Sequence, residues 1–192
     1  MREFFAVLSA LIIILPIFPY AKDIIKGRAV PARSTRIMFL SLLIIAIIQQ
    51  KNLGSGLAIW LTIGEIIGSI SIFLLTFKYG QGGFSKIDKI CYLLLLADLT
   101  VWYFTKNNLT GLGLTILADM IAVWPTAHKT WLDPKSETVL WWSAGVVAPI
   151  FALLAEKDHG FKIVLFPMYL ILSNLAIVLL IVIPRKRLKV VE

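Results

Sequence analysis

Apolar segments alternate with short polar connections along the whole chain. Each segment approaches the length of about 20 apolar residues that a helix needs to cross a bilayer. The connections contain turn-forming or charged residues, as in the Gly-Ser-Gly of residues 54–56 and the Lys-Asn-Asn of residues 106–108. The pattern predicts seven transmembrane helices, at residues 4–20, 36–50, 57–78, 87–105, 109–128, 138–155 and 162–183.

Composition supports a membrane protein. Hydrophobic residues make up 59% of the chain and charged residues 16%, and the mean hydropathy is +0.87. A soluble domain carries about 25% charged residues. We therefore predict an all-α integral membrane protein, surrounded by a lipid bilayer.

The basic residues are distributed unevenly between the two predicted sides. The net charge of +8 would suit a nucleic-acid partner, but alternating sides along seven spans places 14 of the 19 Lys and Arg residues on one side. Cytoplasmic loops carry such an excess. We predict a plasma-membrane protein that binds no nucleic acid, with its N-terminus outside and its C-terminus cytoplasmic. The five residues on the outer side are Arg2, Lys51, Lys106, Lys157 and Lys162.

A turn motif occurs twice. Residues 19–22 read Pro-Tyr-Ala-Lys and residues 125–129 read Pro-Thr-Ala-His-Lys; a second Pro and a Thr follow each, at 31 and 35 and at 134 and 138. Each copy is expected to end one helix and to open the next. The repeat predicts a triple-helix bundle in residues 1–80, a linker helix in residues 81–108 and a second triple-helix bundle in residues 109–192.

One linker helix between two groups of three gives the repeats the same orientation, with their axis along the membrane normal. This layout resembles the SWEET and PQ-loop superfamily of seven-helix transporters and related receptors, and small bacterial or archaeal members in particular. Members carry a Pro, often Pro-Gln, near the cytoplasmic end of the first helix of each repeat. The resemblance implies that four prolines act as flexing points of a gate: Pro19, Pro31, Pro125 and Pro134.

The resemblance also suggests residues that bind a substrate. Sugar-transporting members place an Asn on the third helix of each repeat; Asn174 matches it on the seventh span, whereas the third span has Ser69 in its polar stretch. Ser173 and Ser69 are expected at equivalent positions, or as small residues that let helices pack. Trp141 and Trp142 either stack on a substrate or belong to the aromatic belt at the membrane interface.

Three carboxylates fall inside apolar spans: Glu65, Asp98 and Asp119. A charge there costs at least a few kcal/mol, so each carboxylate needs a partner, water or a proton. Glu65 and Asp119 are candidates for proton linkage, and Asp119 also for substrate binding; a structural hydrogen bond is the alternative. His128 is a candidate pH sensor at the cytoplasmic gate, or an ordinary interfacial histidine.

The remaining sequence signals are exclusions. Cys91 is the single cysteine, which excludes an intramolecular disulfide and a cysteine-based metal site. No enzymatic motif, cofactor motif or metal-ligand spacing is recognisable. We therefore expect a transporter of a small polar solute, sugar-like or amino-acid-like and proton-linked, that is not an enzyme. The alternative is a receptor or scaffold of the same fold that does not transport; homo-oligomerisation is left open.

Overall fold

The computed structural model describes residues 1–27, 31, 33–80, 82, 86–137 and 139–183. Arg28, Thr138 and the basic residues at 185–189 lie outside the described residues. The described part is all-helical, without a strand. Its helices are α1 (Arg2–Ile14), α2 (Ile17–Ile25), α3 (Arg33–Asn52), α4 (Ile59–Tyr79), α5 (Lys86–Thr105), α6 (Asn108–Leu132), α7 (Val139–Ala155) and α8 (Phe161–Val182).

Pro16 divides the first apolar segment into α1 and α2. It is buried and sits at the N-cap of α2, where its missing N–H removes no helical hydrogen bond. The predicted span ends at residue 20, whereas α2 continues to Ile25. The helix still ends within the repeated segment 19–35, and α3 begins there at Arg33, as the repeat predicts. Pro19 is the third residue of α2, and the first N–H groups of a helix have no intrahelical partner, so proline is tolerated there.

The second repeated proline does not end its helix either. Pro125 lies inside α6, as the predicted span 109–128 implies, and α6 ends at Leu132, within the repeated segment 125–138. Pro31 and Pro134 lie in the connections that precede α3 and α7. Pro134 opens a short 3-10 turn, Pro134–Ser136, whose N-cap Asp133 accepts a hydrogen bond from the backbone N–H of Lys135 at 3.1 Å. Neither proline bends a transmembrane helix.

Among the described residues, five helical segments are long and apolar enough to cross a membrane: Arg2–Ile25, Arg33–Asn52, Ile59–Tyr79, Asn108–Leu132 and Phe161–Val182. The α7 helix is apolar but has only 17 residues, and α5 carries charged residues in its first turn. Large apolar side chains such as Phe18, Leu74 and Leu172 are exposed on the outer surface. A surface of this kind suits contact with lipid chains rather than with water.

The helices pack in a pattern that recurs in the two halves of the chain. In the first half, α4 packs against both α1 and α3; in the second half, α8 packs against both α6 and α7. The halves meet where α1 packs against α7 and where α3 packs against α6. The α5 helix packs mainly on α6 and to a smaller extent on α3.

Small residues and buried hydrogen bonds hold these contacts. A Cβ added at Gly64 would lie 2.7 Å from Cγ2 of Ile13, and one added at Gly68 would overlap Ile17, so both glycines let α4 approach α1 and α2 closely. Between α1 and α7, the Ser9 hydroxyl donates to the carbonyl of Ala148 at 2.8 Å.

Near the start of α4, the buried Glu156 accepts hydrogen bonds from the backbone N–H groups of Gly56 and Ala58, at 2.8 and 2.6 Å. The Glu156 carboxyl group thus provides a partner for backbone N–H groups at the start of α4, which have no carbonyl partner within the helix. It therefore ties the end of α7 to the beginning of α4.

Candidate functional site

A cavity of about 760 Å³ lies among the helices. Residues of α1, α2, α3 and α4 line it from the first half, and residues of α6, α7 and α8 line it from the second. No described residue of α5 is among the lining residues. Its polar and charged lining residues are Tyr20, Asp23, Arg36, Glu65, Ser69, Thr115, Asp119, Thr126, Glu137, Trp141, Trp142, Ser173 and Asn174.

Most residues that the sequence singled out meet at this cavity. Four do not line it: Asp98 is buried on α5, Pro125 and His128 are exposed on α6, and Pro134 lies in the connection before α7. His128 is therefore placed away from the polar groups of the cavity. The residues that do line it are Pro19, Pro31, Glu65, Ser69, Asp119, Trp141, Trp142, Ser173 and Asn174. Their roles in binding and gating stay predictions.

Asp119 on α6 and Glu65 on α4 both line the cavity, and together they are called the carboxyl pair. Oδ2 of Asp119 accepts a hydrogen bond from the Tyr169 hydroxyl on α8, and Ser173 also interacts with Tyr169. Three helices from both halves of the chain thus meet at one polar cluster.

Sequence reasoning missed Tyr169, although a signal was present. Tyr169 follows Glu65 by 104 residues, and Ser173 follows Ser69 by the same number. If the repeat is extended to α4 and α8, Tyr169 occupies the position in the second half that Glu65 occupies in the first. The repeated position carries a carboxyl group in one half and a phenol in the other, so it is polar in both.

Glu65 and Ser69 present unused polar atoms to the cavity. They lie one helical turn apart on α4. Oε2 of Glu65 and Oγ of Ser69 are both buried, and neither has a hydrogen-bond partner among the residues that the structure describes. Leaving a buried polar group unsatisfied costs about 1–3 kcal/mol. Both atoms are thus positioned to contact a solute, water or a proton.

Gly145 creates the space that Asn174 occupies. The Asn174 side chain donates from Nδ2 to the carbonyl of Leu170 at 2.8 Å, one turn earlier on α8. A Cβ at Gly145 would overlap Oδ1 of Asn174. Glycine therefore lets α7 approach α8 while the amide stays at the cavity wall.

Aromatic and charged side chains meet at the end of the cavity near α2. Arg36 donates to the Tyr20 hydroxyl at 2.8 Å, and the Tyr20 and Trp141 rings lie 5.5 Å apart. Trp142 donates from Nε1 to Glu137 at 3.1 Å. Both tryptophans are partly buried and line the cavity, which favours a place in the cavity wall over one in the interfacial belt.

Asp98 belongs to a separate buried network. Its Oδ1 accepts a hydrogen bond from Nε2 of Gln49 at 3.1 Å. Its Oδ2 lies in hydrogen-bond contact with Oγ1 of Thr115, which is 3.0 Å from Oε1 of Gln49. These contacts join α3, α5 and α6, and Asp98 does not line the cavity. The arrangement suits a structural role.

Searches against known proteins give no assignment. No family model matches the chain, and neither a curated protein sequence nor a solved structure matches it. Within the described residues, no three His, Cys, Asp or Glu side chains are grouped to hold a metal ion. Any assignment of function therefore depends on the geometry of the cavity.

Proposed function

We propose that this protein is a membrane transporter that moves a small polar solute, sugar-like or amino-acid-like, between two pseudo-symmetric triple-helix bundles. The first bundle comprises α1 to α4, with α1 and α2 as one broken helix. The second comprises α6, α7 and α8, and α5 is the linker. Duplicated bundles of this type support transport by moving against each other around a site at their interface.

The packing of the helices supports this arrangement. In each proposed bundle the third helix packs against both of the other two. The contact of α1 with α7 has its counterpart in that of α3 with α6, because each joins the first helix of one bundle to the second helix of the other. Such exchanged contacts are expected of two parallel repeats related by a twofold axis.

The observation that carries the proposal is the cavity. It is lined by both proposed bundles and not by described residues of the linker helix. Its volume of about 760 Å³ falls within the range of about 300–1,000 Å³ that is usual for ligand pockets. Apolar side chains alternate in its walls with polar and charged groups that could fix the orientation of a solute.

The break in the first transmembrane helix suits a movement of the bundles, and the carboxyl groups of the cavity suit proton linkage. The chain is interrupted between α1 and α2 at Pro16, beside the cavity, so the cytoplasmic part of this helix has a natural hinge. Pro19 lies just beyond the hinge. Glu65 and Asp119 provide groups that can take up a proton when no cation is near them.

A ligand screen tests the proposal. The purified full chain is heated with individual sugars, amino acids and vitamins at several pH values, and hits are measured for uptake into proteoliposomes. A bound solute raises the melting temperature by mass action, and transport requires saturable uptake. Asn174→Ala should abolish the shift and the uptake.

Ser71→Ala is the matched control for the screen. Ser71 is exposed on α4 and bonds only to the carbonyl of Ile67, one turn earlier, so its loss should leave both measurements unchanged. Binding without uptake would favour the receptor or scaffold alternative. The absence of both would contradict the transporter proposal.

A further inference from the structure

The described lining of the cavity carries an excess of acidic groups. It contains four carboxylates, Asp23, Glu65, Asp119 and Glu137, and a single cationic side chain, Arg36. Arg36 lies toward the α2 end of the cavity, where it donates to Tyr20 and stacks over its ring at 5.4 Å. Arg36 is therefore engaged with Tyr20, whereas the carboxyl pair of α4 and α6 receives a hydrogen bond from Tyr169, at Asp119.

The carboxyl pair has one unused acceptor. Tyr169 donates to Asp119, but Oε2 of Glu65 is buried without a hydrogen-bond partner among the described residues, and so is Oγ of Ser69 one turn away. Two negative charges in one low-dielectric cavity repel each other. A proton or a cationic group between them removes the repulsion.

Aromatic side chains also line the cavity. They are Tyr20, Phe39, Trp141, Trp142 and Phe166. The faces of aromatic rings attract organic ammonium ions, and tryptophan does so most strongly. Carboxylates combined with aromatic walls form a site that suits an ammonium group much better than a neutral polyol.

We propose that the cavity binds a small organic ammonium ion between the Glu65–Asp119 pair and the aromatic wall at Trp141, and that one proton leaves the pair for each monovalent cation bound. The proton passes to solvent and the cation replaces its charge, so the charge of the site is unchanged. This inference narrows the substrate class of the proposed transporter. The movement of the ion across the membrane rests on that proposed function, whereas the binding of the ion does not.

Other titratable groups surround the pair on every side. Tyr169 of α8 contacts Asp119 directly, and Cys91 of α5 faces the same region of α6. Asp98 lies behind Thr115, a residue of the cavity lining whose hydroxyl is hydrogen-bonded to Oδ2 of Asp98. Asp23, Arg36 and Glu137 lie at the other polar positions of the cavity. Variants of the pair itself are therefore needed to attribute a proton to it.

The test is equilibrium binding of radiolabelled choline and tetraethylammonium to the purified full chain in nanodiscs, at acidic, neutral and alkaline pH. The neutral carbon isostere of choline, 3,3-dimethyl-1-butanol, is the competitor that separates charge from shape. We expect saturable choline binding that strengthens as pH rises and competition by the isostere that is at least about tenfold weaker. Release of one proton per choline should appear as a pH change in weak buffer.

Variants assign the effect to residues. Glu65→Gln and Asp119→Asn should each weaken choline binding by about tenfold or more and abolish proton release. Asp98→Asn, which also removes a buried carboxyl group but outside the cavity, should leave both unchanged. Trp141→Leu should weaken binding whereas Trp141→Phe retains it, which keeps the test informative if a carboxyl variant does not fold.

Three results would overturn the inference: no saturable binding of either cation, equal competition by the isostere, or unchanged binding in folded Glu65→Gln. Uptake of a neutral solute without any cation binding would support the transporter proposal and contradict the ammonium site. Cation binding without transport in proteoliposomes would support the ammonium site and contradict the transporter proposal.

Discussion

Tyr169 donates a hydrogen bond from its hydroxyl to Oδ2 of Asp119, and this bond joins α8 to α6 at the wall of the cavity. Tyr169→Phe keeps the ring, which packs near Phe166, and removes only the donor. We expect the free energy of unfolding to fall by about 0.5–1.5 kcal/mol, because hydrogen bonds between transmembrane helices are individually modest. Unfolding in mixed micelles measures it.

A double-variant cycle separates this bond from general packing. Tyr169→Phe combined with Asp119→Asn should lose less than the sum of the two single changes, since both remove the same interaction. Tyr103→Phe, at an exposed tyrosine of α5, is the control and should change stability little. Strict additivity of the Tyr169 and Asp119 changes would show that the bond contributes nothing.

The close approach of Gly145 to Asn174 predicts a steric effect. Gly145→Ala places a Cβ into Oδ1 of Asn174, so we expect destabilisation of about 1–3 kcal/mol from overpacking. Gly113→Ala is the matched control, because a Cβ there meets nothing within 4 Å. Adding Asn174→Ala to Gly145→Ala should restore part of the stability. Failure of this rescue in unfolding measurements would place the strain elsewhere.

The network of Gln49, Asp98 and Thr115 predicts that an amide can replace the carboxyl group. In Asp98→Asn, the amide can donate to Thr115, Thr115 can donate to Gln49, and Gln49 can donate to the amide oxygen. We expect thermal melting close to that of the parent. Asp98→Ala leaves buried polar groups unpaired and should cost about 1–3 kcal/mol.

A further substitution tests the Asp98 network by displacing Gln49, which donates a hydrogen bond to Asp98. Gly111→Ala puts a Cβ 2.5 Å from Nε2 of Gln49 and should destabilise the protein in the same way as Asp98→Ala. Equal melting temperatures for the Asn and Ala variants at residue 98 would contradict the structural role of this network.

The uneven distribution of Lys and Arg predicts which side each connection faces. In a Cys91→Ala background, Lys26→Cys at the exposed end of α2 should react with a membrane-impermeant thiol reagent only from the cytoplasmic side, and Lys106→Cys only from outside. Cys91 is the single cysteine of the chain, so the introduced cysteine is the one thiol that can react in this background. The reverse pattern in intact cells would invert the topology.

Sequence patterns predicted most helix positions because apolar length in a membrane is set by bilayer thickness. For α3 to α8, the predicted and observed ends differ by a few residues. The repeat also drew attention to residues that share the cavity, such as Ser69 and Ser173. The seven-helix, 3+1+3 organisation itself stays a proposal.

Two features were not predicted from the pattern, although the 104-residue repeat offered a signal for one of them, Tyr169. The sequence Pro16-Ile-Phe-Pro19 indicates a break in the helix but does not show which proline produces it. In the structure the break is at Pro16, which is buried and is the N-cap of α2. Pro19 lies in the first turn of α2, where no N–H donor is needed. Tyr169 was missed because a tyrosine in an apolar helix ordinarily suggests packing or an interface position. Its hydrogen bond depends on how α8 faces α6, which only the tertiary structure gives.

The most direct test of the transport proposal is the sided accessibility of the cavity. Ser173→Cys and Ser69→Cys, each in a Cys91→Ala background, are treated in oriented proteoliposomes with an impermeant thiol reagent from one side at a time. If the two bundles alternate around the cavity, each residue reacts from both sides, and a bound solute slows both reactions. Reaction from only one side, or from neither, in a folded protein would contradict transport and favour a receptor or scaffold.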